Sequence, residues 1–307
     1  MANELIKPIE QVDRASYLGS ADIANIFGLE DSFGSPYDTW ARKIGLIGSV
    51  EMTEAMAVGL VLEGYILQRY SREEGSTVSA QQVFFRHPDY EFLGCTVDGL
   101  CFDQGKPVRI VEAKTTRDWK WDEVPLRYEA QVQWQMGISG IHEADLAVLH
   151  RPDLKLQTYR MQFDSAIFDA LFDKALDFWF GHVETKLPPA VDGAKATGEA
   201  LKQIIGMPGE EVSIDSLADR LEALKTIKLQ KKELETAEEA VLNELRLAMG
   251  SAEIGTIDGK PAFTLKTTKG KVTVDSKALQ SKFPEAFEAC KKIGNDYRTP
   301  RIMSMKD

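Results

Sequence analysis

The chain reads as α/β in the α+β sense: a central mixed sheet flanked by helices, then a smaller carboxy-terminal domain of helix and β-hairpin. Three observations predict this. Segments of helical and strand period alternate as far as Glu184, in the order helix, hairpin, helix, strand, strand, helix. The run Leu187-Pro188-Pro189-Ala190-Val191-Asp192-Gly193 then interrupts them with linker chemistry. Beyond it lie a long charged helical stretch and the hairpin signal Asp258-Gly259. With 307 residues the chain is long enough for two domains, and the linker sets them at 1–192 and 193–307.

Residues 15–29 read as a loop and a short helix, with Ser20 as cap and Gly28 as stop. Residues 52–70 carry Met52, Met56, Leu60 and Leu67 at helical spacing. Glu63 shares their broad face, where a carboxylate is costly unless paired. A hairpin follows, with arms at 92–102 and 107–115 around Asp103-Gln104-Gly105-Lys106. Next come a helix over 126–140 bearing Gln131, Gln133 and Gln135, strands over 144–150 and 154–163, and an aromatic-rich helix over 165–184. In the second domain, 214–249 reads as one long helix or a helical hairpin, with a stripe of Leu217, Leu221, Leu224, Leu234, Val241 and Leu245 and a stop at Gly250. Strands are expected over 253–256 and 262–267 and after Lys269-Gly270, and a helix over 275–290.

The hairpin carries the chemistry. A turn centred near Gly105 sets Asp98 opposite Glu112, where Cβ atoms stand about 4.5–5.5 Å apart and like charges repel. A divalent cation is the simplest neutraliser. Lys114, two residues beyond Glu112, shares that face. Two carboxylates and a lysine around one small volume are the equipment of metal-dependent phosphodiester hydrolysis.

Composition bounds the rest. At 43% hydrophobic and 28% charged, the chain fits a soluble globular class. It has no apolar run of membrane length, and its first residues lack a signal-peptide pattern, so no membrane partner is expected. Cys95, Cys101 and Cys290 are sparse and unpaired in spacing. They fit a reducing cytoplasm and offer no zinc or iron–sulfur site. The net charge of −11 opposes simple DNA binding. It is uneven: residues 1–192 hold 18 Lys+Arg against 30 Asp+Glu, whereas 254–307 hold 11 against 6.

The motifs resemble a known family. Asp98…Glu112-Ala113-Lys114 matches the core signature of the PD-(D/E)XK nucleases. Arg14…Leu18-Gly19-Ser20-Ala21-Asp22 resembles the opening motif of YqaJ-like viral recombinases and lambda-exonuclease-type proteins, departing from its usual Ile-Gly-Gly-Ser-Asp. Glu63 stands where those proteins carry a helix glutamate, and Tyr128-Glu129-Ala130-Gln131-Val132-Gln133 is similar to their Y-x-A-Q-V-Q motif. The resemblance spans about residues 14–190. It implies a restriction-endonuclease-like core and a Mg²⁺-dependent exonuclease, with Mn²⁺ as a substitute. Such an enzyme resects linear double-stranded DNA, usually 5′→3′, and leaves 3′ strands for recombination. It also implies a single-strand annealing protein as partner, a homo-oligomeric ring, and the cytoplasm of a bacterial host of the encoding phage or prophage.

On that reading Asp98, Glu112 and the Ala113 carbonyl bind the metal and Glu63 completes its shell. Lys114 positions or deprotonates the attacking water, and Gln131 hydrogen-bonds the water or a phosphate, with Gln133 and Gln135 as weaker candidates. Trp119, Lys120 and Trp121 are expected to stack on unpaired bases or wedge the duplex end, unless the tryptophans pack beneath a loop. Arg14, Ser20 and Arg117 are expected on phosphates. Two other readings stand beside this one: a DNA-binding or assembly protein on a degenerate nuclease fold, and a nuclease of another polarity or of RecB-like type. If the basic tail is an electrostatic anchor, deleting residues 254–307 weakens DNA binding at moderate salt in a filter or anisotropy assay, and unchanged affinity removes that role.

Overall fold

The computed structural model describes residues 7–8, 13–50, 52–204, 209–292, 300 and 302. The chain forms two compact units, Met1–Ile204 and Ile205–Asp307.

The first unit is built on a six-stranded sheet: β1 (Lys7–Pro8), β2 (Val78–Arg86), β3 (Gly94–Asp103), β4 (Lys106–Thr116), β5 (Glu143–His150) and β6 (Lys155–Gln162), neighbours in chain order. All pairs are antiparallel except β4 with β5. A parallel pair needs a crossover, and α4 (Leu126–Ser139) supplies it. Helix α3 (Glu54–Glu74) lies on one face of the sheet, where Ile66, Leu67 and Tyr70 pack with Val111, Ala113, Ala147 and Leu149. The other face carries α4, backed by α1 (Ser20–Phe27), α2 (Pro36–Lys43) and α5 (Ser165–Phe178) around Trp134, Val132, Ile110 and Leu146. Trp134 Nε1 donates to the Gly94 carbonyl at 2.9 Å and pins α4 to β3. On the α3 side, Tyr70 Oη donates to the buried Asp145 at 2.6 Å, and Arg109 pairs with Glu143 at 2.9 Å. Among the described residues no helix is long and apolar enough to cross a membrane.

Several expectations shift. The helix over 15–29 is α1, but Gly19 is its cap and Ser20 its first residue, while Gly28 ends it in the left-handed region. Strand β2 and helix α2 were not anticipated. The stripe on α3 is buried only in its second half: Met52, Met56 and Leu60 are exposed because the sheet underlies only the later turns. The helix over 165–184 becomes α5 followed by a π turn, Trp179–Val183. Helix α6 (Lys195–Gln203) returns to the first unit, where Thr197 Oγ1 hydrogen-bonds Ser35 Oγ at 2.7 Å and Ala200 is fully buried.

In the second unit, α7 (Ala218–Met249) is one continuous helix with no buried residue, and Gly250 follows it. Strands β7 (Ile254–Ile257) and β8 (Lys260–Thr264) pair through Asp258-Gly259, both at positive φ, as a two-residue hairpin requires. Residues 265–275 form no strand, so the expected third one is absent. The helix over 275–290 splits into α8 (Ser276–Lys282) and α9 (Pro284–Cys290), because Pro284 lacks the N–H that continuation needs and instead opens α9.

Two glycines on the helices flanking the sheet give opposite expectations. A Cβ on Gly137 of α4 would lie 2.1 Å from the Phe168 ring, so Gly137→Ala lowers stability by about 1–3 kcal/mol. Gly59 of α3 faces open space, so Gly59→Ala raises it by up to about 1 kcal/mol. Denaturant midpoints measure both.

Candidate active site

The site begins with the β3–β4 turn. Gln104 and Gly105 both have positive φ, which makes a two-residue turn centred between them. That turn alone would place Asp98 opposite Val111. A bulge corrects it: Cys101 pairs with Arg109 and Phe102 with Pro107, leaving Val108 unopposed. Past the bulge, Leu100 pairs with Ile110 and Gly99 with Val111, which brings Asp98 level with Glu112. The ladder stops there because the Ala113 N–H donates to Asp98 Oδ2 at 2.9 Å instead of to a backbone carbonyl.

Glu112 is the centre. It is 1% exposed and meets three donor groups. Its Oε1 accepts from Lys114 Nζ and from Gln131 Nε2, and its Oε2 accepts from Gln135 Nε2 at 2.7 Å. Gln131 and Gln135 stand one turn apart on α4, so their amides share a face over the strand. Gln135 Nε2 also reaches the Thr96 carbonyl at 2.9 Å. Gln133 points elsewhere: its amide donates to the Gln162 carbonyl and accepts from the Asp164 N–H, tying α4 to the start of α5. Lys114 is 22% exposed along its side chain and stands over the Tyr128 ring at 5.7 Å.

Glu63 enters from α3. Arg69, on the same helix, pairs with Glu73 at 2.6 Å and leaves Glu63 to another partner. Glu63 instead accepts a hydrogen bond from Gln82 Nε2, which also stands 3.4 Å from Asp98 Oδ1. Gln82 was not anticipated. Its φ of +53° is a left-handed conformation inside a strand, which costs a non-glycine residue about 1–3 kcal/mol. The pairs Gln81 with Gly99 and Val83 with Val97 flank it, and the position opposite Asp98 is skipped. A sequence cannot reveal left-handed backbone at a glutamine. The available signal is the polar pair Gln81-Gln82 entering the apolar run Val83-Phe84-Phe85.

The electrostatics follow from crowding. Burial pushes the Asp98 carboxyl well above its usual range, the Glu112 charge adds to this, and Lys114 only partly offsets them. Burial likewise raises Glu63, with the Gln82 hydrogen bond opposing and Glu112 reinforcing. Burial works to lower the Lys114 ammonium, but Glu112 and Asp98 outweigh it and hold the group above its ordinary value, so here it is a cation. Three carboxylates thus converge on one lysine. Among the described residues no group of three or more His, Cys, Asp or Glu side chains is arranged to hold a metal ion.

The residues expected on DNA divide. Arg14, Arg117, Trp119 and Lys120 are exposed, Trp119 at 68%, and Lys120 pairs with Asp122 at the surface. Ser20 is buried in the first turn of α1. Trp121 is also buried: it stacks on Tyr128 with ring centroids 5.3 Å apart, and its Nε1 donates to Asp118 at 2.9 Å. Its ring is part of the core and does not present a face to bases.

Residues 11–142 match a sequence model of the YqaJ-like viral recombinase domain. Over 292 residues the chain is 28% identical to the uncharacterized protein YqaJ of Bacillus subtilis (strain 168), covering 92% of this chain and 89% of that protein. Among solved structures, it is similar to an alkaline exonuclease from Laribacter hongkongensis, at 23% identity and a TM-score of 0.48, over 57% of this chain and 91% of that one. A phage-related exonuclease from Haemophilus somnus 129PT is similar at 12% identity and a TM-score of 0.44, over 55% and 95%. The family match covers both β strands of the hairpin, the Glu63 helix and the Gln131–Gln135 helix. The stretch 11–142 of this chain is therefore similar to the YqaJ-like viral recombinase domain.

Proposed function

We propose that this chain is a Mg²⁺-dependent exonuclease that resects linear double-stranded DNA, 5′→3′, and leaves 3′ single strands for recombination. One observation carries the reading: Asp98, Glu112 and Glu63 gather around a single lysine, an acidic surplus that the protein's own cations do not balance. The donor set is entirely oxygen, which suits a hard divalent ion such as Mg²⁺, or Mn²⁺ in its place. Asp98, Glu112, Glu63 and the Ala113 carbonyl would hold it, although the three carboxylates are not arranged around one point as they stand. The ion, when bound, supplies polarisation of the scissile phosphate and acidification of a water.

The remaining work falls to the chain. Lys114, held protonated by Glu112 and Asp98, is suited to offset phosphate charge and orient water rather than to take a proton in this arrangement. Gln131 shares Glu112 Oε1 with Lys114, which supports a role in which its hydrogen bond passes to an attacking water. Gln135 keeps the other carboxylate oxygen fixed. Exposed Arg14 and Arg117 are suited to phosphates, and exposed Trp119 to unpaired bases. A single-strand annealing protein as partner and a homo-oligomeric ring belong to the same proposal.

The test is duplex DNA labelled at either end, incubated with Mg²⁺ or with EDTA. Metal-dependent loss of the 5′ label ahead of the 3′ label is expected. No degradation with Mg²⁺ or Mn²⁺ would overturn the reading in favour of a DNA-binding module on a degenerate nuclease fold.

Two variants separate the roles. Lys114→Ala lowers cleavage by about 10²–10³-fold while metal uptake is retained, because no ligand is removed. Asp98→Ala loses both. Cleavage rates and calorimetric titration distinguish them.

The raised carboxyls set a pH dependence. Since Asp98 and Glu63 titrate higher in the folded state than unfolded, their contribution to stability is complete below the ordinary carboxylate range. It is lost as pH rises through their folded values. Mg²⁺ competes with those protons, so its stabilisation of the fold is expected to grow with pH above that range. Thermal midpoints with Mg²⁺ and with EDTA across a pH series measure the difference, and a Mg²⁺ increment independent of pH contradicts the assignment.

A further inference from the structure

The geometry points to Gln82 as a positioning residue that holds Glu63 and Asp98 together for a divalent cation. This rests on the reading of those carboxylates as a cation site. Three elements meet at this amide: α3 through Glu63, β3 through Asp98, and β2 through Gln82 itself. Among the described residues no other side-chain hydrogen bond or ion pair reaches Glu63, so Gln82 alone ties that helix carboxylate to the sheet.

The residue type fits the task. A primary amide carries two N–H donors and no charge. It can bridge two carboxylates without neutralising them, and the acidic surplus stays available to a cation. Lysine or arginine at this place would compensate the charge and compete with the metal, and glutamate would add to the repulsion. Asparagine falls one methylene short.

The backbone fits as well. Gln82 has a φ of +53° between regularly paired neighbours, and its own pair opposite Asp98 is missing from a ladder that keeps one register on both sides of it. The register shift of this ladder lies elsewhere, between Val78 and Ala80, so the irregularity at Gln82 does not serve to adjust the strand pairing. Here the irregularity coincides with the one amide that reaches both acids. Groups that orient ligands from behind commonly change metal affinity by about ten- to hundred-fold when removed.

The experiment is calorimetric titration of the full chain with Mn²⁺ and with Mg²⁺, paired with thermal midpoints in EDTA. Gln82→Gly removes the amide and relieves the left-handed backbone. It is expected to melt at or above the wild-type temperature and to bind metal about ten- to hundred-fold more weakly. Gln82→Asn, whose residue type tolerates the left-handed region, is the second arm, and the same direction is expected from its shortened reach. Wild-type affinity in either folded variant overturns the role of Gln82 while leaving the cation site standing. A wild-type chain that takes up neither metal overturns the cation site itself.

Discussion

Everything around the hairpin answers one electrostatic problem: a carboxylate buried to 1% exposure beside a second one across the strand pair. Alone, each would lack water to solvate its charge and would be repelled by the other's. The chain meets the problem with donors from several elements. Lys114 comes from the same strand as Glu112, Gln131 and Gln135 from α4, the Ala113 N–H from β4, and Gln82 from β2. Only one of these donors is charged. The neutral amides fix the geometry and leave the charge, so the site is ordered and electrostatically incomplete at once. That combination distinguishes it from the Asp145 cluster on the far side of the sheet, where Tyr70 and Arg109 satisfy the buried acid and α3 is simply anchored.

What could be read from the sequence was the part governed by local period. The two arms, the facing of Asp98 and Glu112, and the shared face of Glu112 and Lys114 all follow from alternation. Even so, the facing arises from a shorter turn than expected plus a bulge at Val108, two offsets of one residue that cancel. Helix α4 was legible because Gly140 stops it, and Gln131 was legible because of its motif. Gln135 follows from helix geometry once Gln131 is placed, since residues four apart share a face, whereas Gln133 falls on the other side.

What was illegible depended on the sheet's extent and on strain. The apolar stripe of α3 has one period throughout, yet among its described residues only Ile66, Leu67 and Tyr70 are buried, a matter of where the strands end. Trp121 and Trp119 are two residues apart in a loop. One is spent against Tyr128 and Asp118 and the other is 68% exposed, and composition does not separate them. Helix α6 looked like the far side of a linker because Pro188 and Pro189 break the chain, but Thr197 and Ala200 return it to the first unit. Gln82 is hidden for a different reason: its side chain reaches Glu63 and Asp98 from a backbone conformation that no propensity favours.

The charge of residues 1–192 also acquires a reason on the proposed reading. Residues 1–192 hold 30 acidic against 18 basic side chains, and the site adds a local surplus of the same sign as a phosphate backbone. A polyanion gains nothing from such a surface beyond the roughly 10 Å over which charges act at ordinary salt. Close in, its contacts must come from discrete cations: exposed Arg14 and Arg117 near the surface, and Lys114 within. Lys114 is already engaged by Glu112, so it is free to face a phosphate only when something else satisfies that carboxylate. On the proposed reading, engagement of substrate would therefore depend on prior compensation of Glu112, Asp98 and Glu63. An acidic protein can act on nucleic acid under that condition without carrying a broad basic face.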